Sequence, residues 1–227
     1  MHSDIRVISI GALACHPLRA ERSDVRPGHA TTSLVKTEDA CVIVDPSLPP
    51  ESLIPRLDER AGIAPEEITH VFLTDLRPDR RRGIAAFANA DWYTSELERN
   101  AYGEAIRAQE QNAQDDPQLQ RVLEEESALV ARVGAAPDQL VVGVDLFPLP
   151  GVTPGLCGLL LPTPRATVLI CGDAVATLEH VQEVKVLPHL HDLEAAHESF
   201  KEALEIADIM IPGRDNIIPN PLRALSL

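Results

Sequence analysis

Thr74-Asp75-Leu76-Arg77-Pro78-Asp79-Arg80-Arg81-Arg82-Gly83 follows directly on the apolar run His70-Val-Phe-Leu73. The run has the length and composition of a buried strand. Six charged side chains in the next ten residues cannot continue it. The stretch therefore reads as a charged turn at a strand end, where α/β proteins build sites.

Three other turns have the same setting. They are Pro150-Gly-Val-Thr-Pro-Gly155, Cys171-Gly-Asp173 and Ile211-Pro-Gly-Arg-Asp215. Each follows or adjoins an apolar run. Working outward, Ile5–Ile10 alternates and predicts a first strand. Thr31–Lys36 and Ala40–Val44 predict a hairpin around Thr37-Glu-Asp39. Pro49–Arg60 carries Leu53, Ile54 and Leu57 between charges, an amphipathic helix ended by Gly62. Ile84–Ala88 is a short helix and Trp92-Tyr93 a short strand.

Ser95 to Val133 is polar and helix-favouring, with a break near Asp115-Asp116-Pro117. Strands are expected again at Gln139–Val144, near Phe147, at Leu156–Leu161 and at Thr167–Cys171. Residues 172–188 read as a loop. Asp192 reads as an N-cap for a helix whose apolar face is Leu193, Ala196, Phe200 and Leu204. A last strand covers Asp208–Ile211. No Gly/Ser linker divides the chain, so residues 1–227 are expected to form one α/β domain with a helical insert at about 95–134.

The four turns, in this order and spacing, resemble the metallo-β-lactamase superfamily. Its motifs run T-H-x-H-x-D-H-x-G-G, then P-G-H-T-P-G, then G-D, then P-G-H. The resemblance extends from Val44-Asp45-Pro46 to Pro212-Gly213, and the helical insert is similar to that of lactonase-like members. It implies an α/β (α+β) fold, a four-layer αββα sandwich with the turns at one edge. In the family these turns hold two metal ions, usually zinc, which activate a hydroxide for hydrolysis.

Carried over residue by residue, Thr74, Asp79 and Gly83 match the first motif. Asp75, Arg77 and Arg80 stand at its three histidine positions, and Arg82 replaces the first closing glycine. Val152 stands at the histidine of the second motif, between matching Pro150, Gly151, Thr153, Pro154 and Gly155. Gly172-Asp173 matches the third motif. Pro212-Gly213 matches the fourth, with Arg214 for histidine. Asp79 and Asp173 are thus the two retained ligand positions.

Zinc takes imidazole, thiolate or carboxylate donors. Arginine offers no lone pair and adds a positive charge, and valine offers nothing. Three negatives (Asp75, Asp79, Asp173) and three positives (Arg77, Arg80, Arg214) should meet at this place. The guanidinium groups are expected to replace metal cations as counter-charges to otherwise costly buried carboxylates. Three readings stand: a structural salt-bridge network, a live pocket with spare guanidinium donors, or a metal held by carboxylates alone.

The eight histidines leave one relocated alternative. His180, His189 and His191, with Asp173, could form a new metal site, against the plainer reading of loop and cap histidines. His16 and His29 lie in an N-terminal loop that could reach the pocket. His70 packs in a strand or faces solvent, and His197 sits near the apolar face of its helix. Arg81 and Arg82 read as a solvated turn. No G-x-S-x-G elbow is present, and Cys171 reads as a buried thiol without a histidine partner.

Composition narrows the classes further. The chain has 227 residues, 35 acidic and 20 basic side chains, and a net charge of −15. That excess of acid argues against nucleic acid and anionic membrane partners. No apolar run is long enough to span a bilayer. The N-terminus shows no secretory pattern, so a cytoplasmic protein with four reduced cysteines is expected. The insert reads as a solvated lid or a homodimer face.

The function expected is non-catalytic: small-molecule or anion binding, regulation or scaffolding, with no cofactor. The alternative is a hydrolase of a small ester, lactone or thioester using a weakly bound divalent metal. There Asp79 or Asp173 would be base or ligand, and Arg77 or Arg214 would stabilise an oxyanion.

Overall fold

Two six-stranded sheets face each other in the computed structural model, which describes residues 3–22, 25–113 and 116–223. The first sheet runs in the order β1 (Asp4–Ser9), β2 (Thr32–Lys36), β3 (Cys41–Val44), β4 (His70–Phe72), β5 (Asp91–Thr94), β6 (Gly134–Ala135). Its first three strands are antiparallel, and β3 to β6 are parallel. The second sheet contains β7 (Gln139–Val141), β8 (Val144–Pro148), β9 (Cys157–Pro162), β10 (Thr167–Gly172), β11 (Ile209–Pro212) and β12 (Ile218–Pro219). Within it β10 and β11 are parallel neighbours.

The layers follow from which faces are apolar. Val35, Val42, Val44 and Phe72 of the first sheet pack against Leu159, Leu161, Val168, Ile170 and Ile211 of the second. All four residues of β3 are buried, so the strand shows no alternation. It is covered on both faces, like the buried strands of α/β proteins. Outside the first sheet, α1 (Pro50–Ala61) inserts Leu53 and Leu57. Outside the second, α5 (Leu193–Ile206) inserts Phe200, Ala203 and Leu204. The result is the αββα sandwich.

Local chemistry sets the helix ends. Gly62, at φ 62°, closes α1 by donating its N–H to Asp58 O at 2.7 Å. Ser95 caps α2 (Glu96–Asn112) by accepting from Glu98 N at 3.1 Å. Asp116 caps α3 (Pro117–Arg132) through Gln118 N and Leu119 N. Asp192 caps α5 through Ala195 N at 3.0 Å. Each such cap stabilises its helix by about 1 kcal/mol.

Several expectations are corrected. The stretch 139–144 is two strands, turned by Gly143 at φ 79°. The loop at 172–188 contains α4 (Leu178–Glu183), whose six residues are too few to show a period in sequence. The two-residue strands β6 and β12 escaped the sequence for the same reason. Leu193 lies 60% exposed, not on the buried face of α5, because it sits at the helix's first position before the core begins. His197 is likewise exposed. No helix among the described residues is long and apolar enough to cross a membrane.

Candidate functional site

The turns meet because their parent strands are adjacent. Gly172 at the end of β10 pairs with Pro212 at the end of β11. A Cβ on Gly213 would lie 2.3 Å from Asp173 Oδ1, so only glycine lets this turn approach so closely. A Cβ on Gly172, itself at φ 53°, would lie 2.9 Å from Thr74 Oγ1. The first, third and fourth turns thus share one small volume.

Asp173 is its centre, with a fully buried side chain. Arg214 grips it as a fork, Nε to Oδ1 at 2.9 Å and Nη2 to Oδ2 at 2.9 Å. Arg77 Nη2 donates to Oδ2 at 2.7 Å, and Arg80 Nη2 pairs with Oδ1 at 2.6 Å. Asp75 receives Arg77 through Nε at 3.0 Å and Nη2 at 2.7 Å. It also receives Arg80 Nε at 3.0 Å. Arg214 Nη1 continues the chain to Asp79.

The structure adds two acids that the sequence reading missed. Asp45, after β3 and at φ 48°, accepts from Thr74 N at 2.9 Å and Thr74 Oγ1 at 2.7 Å. Its Oδ2 also receives Arg80 Nη1 at 3.3 Å. Glu98 reaches in from α2 and accepts from Leu76 N, Thr153 Oγ1 and Gly155 N at 3.1, 2.7 and 3.1 Å. It therefore holds the first and second turns together. A carboxylate in the first turn of a helix resembles a dipole-compensating residue, so nothing local marked Glu98 as buried.

Electrostatics divides these acids. Burial opposes ionisation of Asp173, but Arg214, Arg80 and Arg77 outweigh it and hold the carboxyl well below its ordinary range. Asp75 is likewise buried, yet Arg77 and Arg80 bring it down to about 2. Asp45 goes the other way. Burial raises it to about 7, with Arg80 only partly compensating and Asp75 adding repulsion. Burial and Asp75 also raise Glu98.

A cleft of about 460 Å³ opens above the cluster. Arg77, Asp79, Asp173 and Arg214 form its floor. Leu13, Ala14, Cys15, Pro17 and Gly28 line one side, and Leu187, Pro188 and His189 the other. Asp75 and Arg80 lie buried beneath. Val152 is not on the cleft surface. It packs with Phe200 and Ala174 in the second sheet's outer core, so its side chain has joined the hydrophobic interior.

Among the described residues, none of the cleft lining comes from the insert at 95–134. It is tied to the site turn from behind. Arg81, expected in solvent, is 9% exposed; it donates to Leu76 O at 2.8 Å and pairs with Glu126, which also binds Tyr102. Arg82 is exposed as expected. The N-terminal loop forms the cleft wall instead. Arg26 donates to Leu13 O at 2.9 Å and pairs with Glu21, which accepts from His16 N.

The relocated histidine set is not assembled. His180 is buried in α4, while His189 and His191 are exposed on the following loop. Among the described residues no group of three or more His, Cys, Asp and Glu could hold a metal ion. His180 Nδ1 instead contacts Thr177 Oγ1 at 2.9 Å, and His16 Nε2 lies 3.2 Å from the same hydroxyl. His16 and Arg214 also line a smaller adjoining cavity, while His29 is held by the Ile10 carbonyl. His70 stacks on Tyr93. Cys41, Cys157 and Cys171 are buried free thiols and Cys15 is partly exposed; burial raises Cys157 to about 12 and Cys171 further.

A family model for the metallo-beta-lactamase superfamily matches residues 25–213, which include the first three turns and the Ile211-Pro-Gly213 start of the fourth. The chain belongs to that superfamily. No curated protein sequence matches it. Solved structures share the superfamily fold. A Thermotoga maritima protein provisionally described as a metallo-beta-lactamase is 19% identical, with a TM-score of 0.69 over 96% of this chain and 100% of its own. AidC, a dizinc quorum-quenching lactonase, is 21% identical, with a TM-score of 0.60 over 81% of this chain and 70% of its own. A Bacillus thuringiensis AiiA variant with bound N-decanoyl-L-homoserine is 20% identical, with a TM-score of 0.59 over 89% and 88%. Identities this low establish the fold of this superfamily member and leave its chemistry to its own residues.

Proposed function

We propose that this superfamily member binds a small molecule in the cleft and does not carry out metal-dependent hydrolysis. The observation that supports this is the saturation of Asp173. Both of its oxygens face guanidinium nitrogens at 2.6–2.9 Å, two on each oxygen. A dinuclear zinc centre does not fit these residues. Its cations would compete with three guanidinium groups for the same lone pairs, and would have no imidazole within the set. The guanidinium groups act instead as fixed counter-charges. Paired this way, Asp173 and Asp75 stay ionised without a metal.

The cleft keeps the features of a ligand site. It has an apolar wall, a polar floor and a volume in the usual range for small molecules. A regulatory or sensing role follows from binding without turnover. The lactonase neighbours make ester, lactone and thioester hydrolysis the activity to test against.

Zinc and manganese titrations followed by calorimetry, with metal analysis and a panel of small esters, lactones and thioesters, test this reading. The expected result is no stoichiometric metal and no turnover. Stoichiometric metal together with turnover that vanishes in Asp173→Asn overturns it.

A further inference from the structure

The cleft floor is an alternating row, Arg77, Asp173, Arg214, Asp79, in which each neighbour pair is in contact. The inner two members are used up by their neighbours. The outer two are not. Among the described residues, Arg77 Nη1 donates to no protein atom and Asp79 Oδ1 accepts from none. Both side chains are partly open, at 32% and 28% exposure, and both line the cleft. The floor therefore presents one free donor group and one free acceptor, of opposite charge.

The charge balance restricts what can bind. Two guanidinium groups meet two carboxylates on the floor, and the buried Arg80 faces Asp75 and Asp45 beneath it. The cluster has no positive excess. A lone anion would gain one guanidinium and share the floor with a free carboxylate. A lone cation would meet the reverse. A ligand bearing both charges satisfies both ends and adds no net charge to a partly desolvated cleft. Arg77 supplies planar donors suited to a carboxylate. Leu13, Pro17, Leu187 and Pro188 supply the wall for an apolar body.

We infer that the cleft takes a zwitterion with an apolar side chain, an apolar α-amino acid or short apolar peptide, its carboxylate on Arg77 and its ammonium on Asp79. This rests on reading the cleft as a binding site and adds the class of ligand.

Calorimetry on the full, unaltered chain decides it. Leucine and leucyl-leucine are the zwitterions. N-acetyl-leucine keeps only the carboxylate, leucinamide only the ammonium, and N-acetyl-leucinamide neither. At least one zwitterion is expected to bind tenfold or more tighter than every analogue. Asp79→Asn should erase the zwitterion's advantage over N-acetyl-leucine while leaving the affinity for N-acetyl-leucine unlowered. Binding of N-acetyl-leucine as tight as that of the zwitterions, or no binding of either zwitterion, overturns the ligand class. Failure of the underlying reading is a different result, metal-dependent turnover in the ester and lactone panel.

Discussion

Arg214 holds Asp173 through two parallel contacts, Nε to Oδ1 and Nη2 to Oδ2, both at 2.9 Å. The pair joins the end of β11 to the end of β10 at the edge of the second sheet. It also carries the network outward to Asp79. The fork geometry is specific to a guanidinium, so lysine cannot reproduce it. Arg214→Lys is expected to destabilise the protein by about 1–3 kcal/mol, and Arg214→Ala by about 3–5 kcal/mol. Urea denaturation with an unchanged m-value checks both. A loss below about 0.5 kcal/mol in Arg214→Ala would show that the pair contributes nothing to the fold.

Asp173→Asn should cost more than its small change of shape suggests. It leaves three guanidinium groups around a neutral amide, two of them nearly or fully buried. The expected loss is about 3–5 kcal/mol. A double-mutant cycle with Arg214→Ala should give a coupling of about 1–3 kcal/mol. Strict additivity of the two substitutions would contradict the network.

Gly213→Ala tests the closeness of the turns. The added methyl would stand 2.3 Å from Asp173 Oδ1 and 2.6 Å from the Gly172 carbonyl carbon. One of these is backbone and cannot swing away. A loss of about 1–3 kcal/mol is expected, with displacement of the Asp173 carboxylate visible in a crystal structure of the variant.

Glu98→Ala should damage the site from the insert side. It deletes the acceptor for two main-chain N–H groups and the Thr153 hydroxyl. The expected loss is about 2–4 kcal/mol, from buried donors left without partners. Glu98→Gln keeps an acceptor and should cost less. Hydrogen exchange at Leu76 and Gly155 should rise in the alanine variant; unchanged protection there would refute the role.

Acidification should act on three buried groups, whose contributions to stability do not share one sign. Burial, then the neighbouring His16, lowers His180 to about 4 against an ordinary 6.5. Between those values the unfolded chain binds more protons, so stability falls as pH drops from about 6.5 to about 4. Asp75, held near 2 against an ordinary 3.8, extends the loss from about pH 4 to about pH 2. Asp45, raised to about 7, has the opposite sign and favours folding as pH drops from about 7 to about 4. Asp45→Asn should therefore remove a stabilising contribution as pH drops through that range, and His180→Gln should remove a destabilising one. Thermal melts across pH 2–8 measure both slopes, and identical slopes in all three proteins would contradict the assignments.

Much of this was legible in the residues themselves. The strand-end turns, the cap at Asp192 and the close of α1 at Gly62 are local features, set by hydrogen bonding and backbone freedom within a few positions. The loss of histidine at five ligand positions is a fact of composition by place. The opposite charges at those places also pointed to pairing, since buried charges require partners. Tertiary structure alone decided the rest. Asp45 and Glu98 join the site from β3 and α2, and no local pattern separates them from surface acids. Val152 leaves the site for the core, and Arg81 leaves solvent for Glu126 and Tyr102. The cleft wall comes from the N-terminal loop and not from the insert. Burial and partnership are long-range quantities, fixed by which strands lie side by side. They determine which carboxylates ionise, which donors remain free, and so what the cleft can bind.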